Sequence, residues 1–438
     1  MPRGRNFPGQ ATGVSKLYKK HIKLKAASSP WFILPRNCVP VIFSRTNPVP
    51  FQVKIFILLA LCAFSVQSQD QNPEKEKSFE KLKELFTIYP NKKAADKDST
   101  LYRSKFIATP IVTYSPETNF GFGTGAKYLF KFAGSGEETR VSNMPISLQY
   151  TLNNQFIIYS GFEIFTNQER YVIEGNILLQ NYPRLYYGIG RDSPELAEEE
   201  YNYYQATVEP IVLKQMFARY LFIGAGFRYN QIFNVDIETG GLLDTNQPEG
   251  FEGSRSVGVE TAVLYDSRNN ILNAQKGWYL EFTYGTYKKF LGSTHQFGLT
   301  RIDLRHYITP WKKGGDVLGV QFLGRFSNGD VPFNELSLFG GDEILRGYRE
   351  GRYVERNLLA GQMEYRKTFG ESRWGAVAFL GAGDVYRDVG KFQFKNLRPN
   401  YGMGLRFLVD RAEQLNVRLD WGFSPSSNYV YLGIAEAF

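Results

Sequence analysis

The 438-residue sequence predicts an all-β protein, a transmembrane antiparallel β-barrel of sixteen strands. Three observations carry that expectation. From Phe106 onward apolar and polar residues alternate in segments of about ten residues broken by turn residues, as in a wall with lipid on one face and water on the other. The longest connections between segments, 181–200, 232–254, 328–355 and 384–399, all leave odd-numbered strands and so lie at one end, a sorting that a soluble sandwich has no reason to show. Finally, 16% aromatic residues and 42 Gly with only 22% charge suit one large β body better than two or three soluble domains.

The formal charge of +9 belongs to the N-terminus. Met1–Lys54 holds ten Lys and Arg and no acid, which leaves 42 basic against 43 acidic residues, a net charge of −1, for the rest. A nucleic-acid partner, which needs a basic face, is therefore not expected. Lys54 followed by Ile55–Phe64 and the small residues up to Ser68 has the basic flank, short apolar core and small end of a secretory signal peptide. The core is about half the roughly 20 residues of a spanning helix. The expected organisation is an extension over 1–53 outside the mature protein, a signal peptide over 54–68, a short periplasmic segment over 69–104 and the barrel over 105–438. A lipoprotein reading of Cys62 is disfavoured by the bulky Leu61 before it. Cys38 and Cys62 both fall in the part expected to be removed, which leaves no disulfide, thiolate metal site or cysteine nucleophile. His295 and His306 alone remain of three histidines, too few for a histidine metal centre, and neither a metal nor a cofactor is expected. Within the polar segment, Phe79, Leu82, Leu85 and Phe86 recur at helical spacing and predict a short amphipathic helix.

The expected strands run 106–115, 120–132, 144–153, 156–165, 170–180, 201–214, 217–231, 255–266, 277–288, 295–308, 316–327, 356–369, 374–383, 400–410, 414–423 and 428–438. An even count lets both ends of the barrel lie on one side. Alternation assigns faces: Leu415, Val417, Leu419, Trp421 and Phe423 oppose Asn416, Arg418, Asp420 and Gly422, and Ile302 and Leu304 oppose Arg301, Asp303 and Arg305. A mid-depth Arg on the lipid face costs about 2–4 kcal/mol, so these charges point into the lumen. Tyr186, Tyr187 and Tyr429, near strand ends, suit aromatic girdles.

One polar, glycine-rich stretch interrupts the pattern: Gly340-Gly341-Asp342-Glu343-Ile344-Leu345-Arg346-Gly347-Tyr348, continuing to Tyr353. Its Leu-Arg-Gly-Tyr core resembles the sixth-loop motif of the BamA/TamA superfamily of outer-membrane barrels, the bacterial surface antigen family. Four further segments are similar in order: Tyr265–Asn270 with Gln275–Trp278, Gln362–Arg366 with Phe379–Tyr386, Tyr401–Phe407, and Leu432–Phe438. The resemblance implies a sixth extracellular loop folded into the lumen, with its arginine on acidic partners of the inner wall. Glu364 is the first candidate partner of Arg346 and Asp384 a substitute, because Gly381 stands where the family pattern has Asp; Asp303 and Asp420 remain open. Phe438 resembles a C-terminal assembly signal read by the barrel assembly machinery, with Gly433 in the same segment and Glu436 at a place more often apolar; it also fits a last lipid-facing residue.

No nucleophile elbow, His–carboxylate pair or phosphate loop stands in the right context, so an enzyme is not expected. Gly121, Gly123 and Gly125 read as small lumen-facing strand residues. The resemblance implies a protein among outer-membrane lipids of a Gram-negative bacterium that inserts or exports client polypeptides through a weak first–last strand seam. The soluble POTRA domains of many relatives do not fit in 69–104, so a separate periplasmic partner would have to supply client capture. Alternatives are a small-solute channel and a structural surface antigen.

Overall fold

The computed structural model describes residues 87–90, 93, 97, 98, 101–194, 198–311, 315–411 and 413–438. The expected extension, signal peptide, both cysteines and the helix over Phe79–Phe86 lie outside the described residues.

Sixteen antiparallel strands form the wall. They are β1 Lys105–Ser115, β2 Asn119–Phe130, β3 Ser142–Thr151, β4 Phe156–Phe165, β5 Tyr171–Asn181, β6 in two pieces (Glu199–Val208 and Ile211–Gln215), β7 Leu221–Asp236 and β8 Ser254–Asp266. The second half comprises β9 Gly277–Tyr287, β10 Phe297–Ile308, β11 Val317–Gly329, β12 Asn357–Thr368, β13 Trp374–Tyr386, β14 Arg398–Asp410, β15 Leu415–Phe423 and β16 Asn428–Ile434. Each pairs with the next, and β16 closes on β1 at Tyr114↔Leu432. The expected strand order holds throughout. The differences are local. Pro210 lacks an N–H and splits β6, and β7 runs on to Asp236 beyond the wall.

Burial follows the predicted alternation. Along β15 the residues alternate between half-buried and buried, with Asn416, Arg418 and Asp420 buried on the lumen side. In β10 Asp303 is fully buried while Leu304 is 38% exposed on the outside. Replacing Leu304 by Arg is therefore expected to destabilise the barrel by up to about 2–4 kcal/mol, read as a lower denaturant midpoint, whereas Arg305 already sits where a charge is tolerated.

Two expectations are corrected. Tyr186 and Tyr187 are not girdle residues: both are buried. Tyr186 ends a short strand, Arg184–Tyr186, paired with Glu199–Tyr201, and packs with Tyr182, Tyr201, Tyr203, Phe333 and Val354 in an aromatic cluster among the extracellular loops. The last strand stops at Ile434 rather than continuing to Phe438. Ala435 adopts a left-handed φ of 68°, which swings the following residues off the wall and into the lumen. Phe438 is buried against Ala274, Tyr307 and Val317 near the periplasmic end of β10 and β11, so its ring does not face lipid.

Candidate functional site in the barrel lumen

The connection 330–356 between β11 and β12 is the sixth extracellular loop. A two-stranded ribbon, Ser337–Phe339 against Tyr353–Glu355, closes its base and makes residues 340–352 an arc. Backbone geometry sets the course of the arc. Gly340 has φ 95°, and a Cβ there would meet the Arg349 carbonyl oxygen at 2.4 Å. Leu345 takes a left-handed φ of 56°, and its side chain is buried with Phe339, Tyr348, Leu358, Ala360 and Val385. That apolar burial anchors the turn that aims Arg346. Gly347, at φ 106°, lies against Phe423, and a Cβ on the facing Gly422 would meet the Arg346 carbonyl carbon at 2.6 Å. Two opposed glycines thus let the loop backbone touch the wall at β15.

Arg346 is fully buried. Its Nη2 donates to Glu364 Oε2 at 2.6 Å and its Nη1 to Asp420 Oδ2 at 2.7 Å, while the guanidinium lies 3.6 Å from the Phe379 ring centroid. Glu364 also accepts from Arg366 Nε at 2.8 Å, and Asp420 from Arg406 Nη1 at 2.5 Å and Arg418 Nη1 at 3.2 Å. Arg418 reaches back to Asp342 Oδ2 of the loop at 2.6 Å, and Arg406 takes Glu436 at 2.7 Å. Four guanidiniums, of Arg346, Arg366, Arg406 and Arg418, thus alternate with the carboxylates of Asp342, Glu364, Asp420 and Glu436. Buried charges persist when each is paired and hydrogen-bonded; every charge here has an ionic partner, and only Arg346 Nε and Arg418 Nε of these guanidiniums are buried without a hydrogen bond.

Neutral bonds complete the attachment. Asn400 Nδ2 donates to the Arg346 carbonyl at 2.9 Å, Gly347 N to Tyr431 Oη at 3.0 Å, and Tyr348 Oη to the Pro399 carbonyl at 3.0 Å. Gly341 N donates to the Tyr348 carbonyl at 3.2 Å, holding the arc closed. Gly433 stands opposite Arg418 in register, where a Cβ would meet Arg418 Nε at 3.1 Å, so the absent side chain leaves room for the guanidinium.

The structure brings together Gly340, Gly341, Leu345, Arg346, Gly347, Tyr348 and Glu364, and adds Asp420. It does not bring Asp384 to Arg346. Asp384 stands opposite Leu359 in register, five residues from Glu364, or roughly 16 Å along the strand. Its carboxylate takes Arg398 at 2.9 Å and Arg191 at 3.2 Å instead. Asp303 is held by Arg305 at 2.6 Å. Nor is there room for an acid at Gly381, where a Cβ would meet Asn400 Oδ1 at 2.7 Å. Sequence reasoning missed Phe379, Arg418 and Tyr431 as loop contacts. Inward parity with Gly381 was the available signal for Phe379.

The opposite side of the lumen is not filled by the loop. A cavity of about 520 Å³ is lined by Glu163, Glu174, Glu209, Arg228, Arg268 and Arg301 among others, and a second of about 480 Å³ lies between Arg325, Glu335, Glu343 and Glu350. Burial pushes the Glu343 carboxyl up, and the adjacent Asp342 adds to the shift. Burial also raises Glu335, but the guanidiniums of Arg228 and Arg325 and the Asn230 amide outweigh it and hold that carboxyl below its usual range.

The Omp85 superfamily domain matches residues 122–430. A structure of BamA from Haemophilus ducreyi lacking POTRA domains 1–3 is similar over 76% of this chain and 69% of its own, with 13% identity and a TM-score of 0.49. CdiB from Acinetobacter baumannii is similar over 76% of this chain and 59% of its own, with 12% identity and a TM-score of 0.49, so the chain spans less than two thirds of CdiB. A mutant Rh. blastica porin is similar over 75% of this chain and 96% of its own, with 7% identity and a TM-score of 0.30. At these identities the likenesses concern the fold alone. A comparison with curated proteins found no match.

Proposed function

Because the chain belongs to the Omp85 superfamily, and is thus an integral outer-membrane barrel, we propose that it inserts or exports polypeptides by opening the seam between β1 and β16 to an incoming strand. The observation that carries this reading is the seam itself. β1 and β2 are paired at all eleven residues from Lys105 to Ser115, and β15 and β16 over seven, but β1 and β16 share only Tyr114↔Leu432. A ladder hydrogen bond contributes about 0.5–1.5 kcal/mol net, so the seam is the joint that separates at least cost. Unpaired backbone groups facing hydrocarbon are unfavourable, so an opened edge has a driving force to accept another strand.

The sixth loop is positioned to govern this joint. It holds β16 through Gly347 N on Tyr431 Oη, and it holds the β1–β2 turn through Arg349 Nη2 on the Pro116 carbonyl at 2.9 Å and Glu350 N on Glu117 Oε1 at 2.9 Å. The Arg346 network fixes the loop to β12 and β15, so the loop acts as a clamp across the extracellular end of the seam. Client polypeptides, the barrel assembly machinery that would fold this barrel and a periplasmic partner that delivers clients are the partners this reading calls for.

The test is a seam lock. A Tyr114→Cys/Leu432→Cys disulfide, in a chain with Cys38→Ser and Cys62→Ser, is expected to reduce insertion of an unfolded barrel client into proteoliposomes at least tenfold, with recovery on reduction. Undiminished insertion by the locked barrel would overturn the reading. The charged cavities along the β4–β11 wall favour a small-solute channel as the second reading.

A further inference from the structure

The free edge of β1 is not empty along its whole length. β2 covers one edge of β1 from Lys105 to Ser115, so anything else paired with β1 lies on the seam edge. At the extracellular end that partner is Leu432 of β16, opposite Tyr114. At the periplasmic end it is the chain itself, with Thr87 paired to Ile107 and Ile88 to Phe106, antiparallel. Had β16 run straight on in the Tyr114↔Leu432 register, Phe438 would stand opposite Ala108, next to this short strand. β16 cannot continue, because Ala435 turns the chain inward and Glu436 is held in the lumen by Arg406 and Asn416 Nδ2, the latter at 2.6 Å. Tyr89, next along, lies under the Arg103 guanidinium at 4.2 Å, which pins the segment beside the start of β1. Between the two partners lies an open stretch of edge around Thr109 and Pro110, both exposed. Pro110 has no N–H to offer a ladder and is tolerated at such an edge.

We propose that Thr87–Ile88 is a strand held in cis that caps the addition edge of β1 and competes with an incoming extended polypeptide for Phe106 and Ile107. The inference rests on the strand-addition reading above and adds a named occupant to its edge. Two ladder rungs and the contact of Tyr89 with Arg103 hold the cap, whereas a client strand running from Lys105 to Thr113 would pair with nine residues. The cap is therefore strong enough to shield the edge at rest and weak enough to be displaced. A client whose end begins pairing in the open stretch at Ala108–Thr113 would extend toward the periplasm by exchanging with Thr87 at Ile107 and then with Ile88 at Phe106.

The experiment uses the full chain with Cys38→Ser and Cys62→Ser, refolded in detergent. Thr87→Cys/Ile107→Cys is expected to form a disulfide, and Thr87→Cys/Val112→Cys is not. The probe is a fluorescein-labelled peptide with the sequence Asn428–Ile434, beside the same peptide with alternate backbone nitrogens methylated, which blocks pairing but not apolar adhesion. Locking the cap should weaken binding of the unmethylated peptide at least tenfold, with recovery on reduction, and Ile88→Pro should tighten it at least threefold. The proposal is overturned if the registered pair does not cross-link, if the peptide binds no form, or if locked, reduced and Ile88→Pro barrels bind it equally. Insertion that depends on the seam lock but ignores the cap lock would overturn the cap alone. Peptide exchange governed by the cap in a barrel without insertion activity would retain the cap and remove the insertion reading.

Discussion

Truncating Arg346 to alanine is expected to destabilise the folded barrel by about 3–5 kcal/mol and to expose the sixth loop to protease. The figure follows from what is left behind rather than from the bonds removed. Breaking a buried ion pair by deleting one partner leaves an uncompensated charge in a site built around it. Here the deletion unbalances the network by one full charge, with Glu364 and Asp420 retaining Arg366, Arg406 and Arg418 as partners but losing the group that joins them to the loop. It also empties the space over the Phe379 ring. Arg346→Lys should recover only part of the loss, because an ammonium cannot lie flat on a ring while donating to two carboxylates on different strands. Glu364→Ala should be milder than Arg346→Ala, since Arg346 keeps Asp420 at 2.7 Å, and Glu364→Ala/Asp420→Ala should expose the loop more than either single change. The measurement is the temperature at which the barrel loses its folded gel mobility, together with the rate of cleavage within 340–352. Unchanged mobility and cleavage in Arg346→Ala would mean that the loop is held by Leu345 and the Gly347–Gly422 contact without help from charge.

Much of this architecture is legible in the sequence because a barrel wall imposes a period of two over its whole length. Leu304 beside Asp303, or Leu419 beside Asp420, states which side meets lipid, and the turn residues state where each strand ends. What periodicity cannot state is depth. Parity places Glu364, Asp303 and Asp420 alike on the inner face, yet only strand register decides that Glu364 and Asp420 stand level with Arg346 while Asp303 is held by Arg305; Asp384, of opposite parity to Phe379, stands higher, among Arg191 and Arg398. Non-glycine residues in left-handed conformations are similarly silent. Nothing in the letters at Ala435 announces a φ of 68°, so the sequence pattern predicts more strand where Glu436 and Phe438 turn inward. The cap at Thr87–Ile88 is two residues long, too short for any period to show. Tyr186 and Tyr187 mislead for another reason: a tyrosine at a strand end serves a lipid girdle or a loop cluster equally well, and only the short strand Arg184–Tyr186 turns them inward.

Deleting Asp342–Arg352 is expected to convert a barrel that is quiet in a planar bilayer into one that conducts in discrete steps. The ribbon Ser337–Phe339 with Tyr353–Glu355 can still close over the gap, so the deletion removes the arc without severing its base. With the arc go Arg346, Leu345 and the contacts of Gly347 and Tyr348 on Tyr431, Phe423 and Pro399, which together occupy the lumen beside β12–β16. Arg366, Arg406 and Arg418 keep their direct bonds to Glu364, Asp420 and Glu436 but lose the loop that covers them, and the cavities of about 520 and 480 Å³ gain a path along that wall. A lumen lined by both signs of charge is readily hydrated, so the opened barrel should pass both cations and anions. Gly347→Ala makes the intermediate case. Its φ of 106° and the 2.6 Å approach to Phe423 N oppose any side chain there, so the loop should sit loosely and flicker between quiet and conducting states. Steady conductance in the unmodified barrel, little changed by the deletion, would instead mean that ions already pass around the loop. The charged cavities would then be a transport path, and the channel reading would displace insertion.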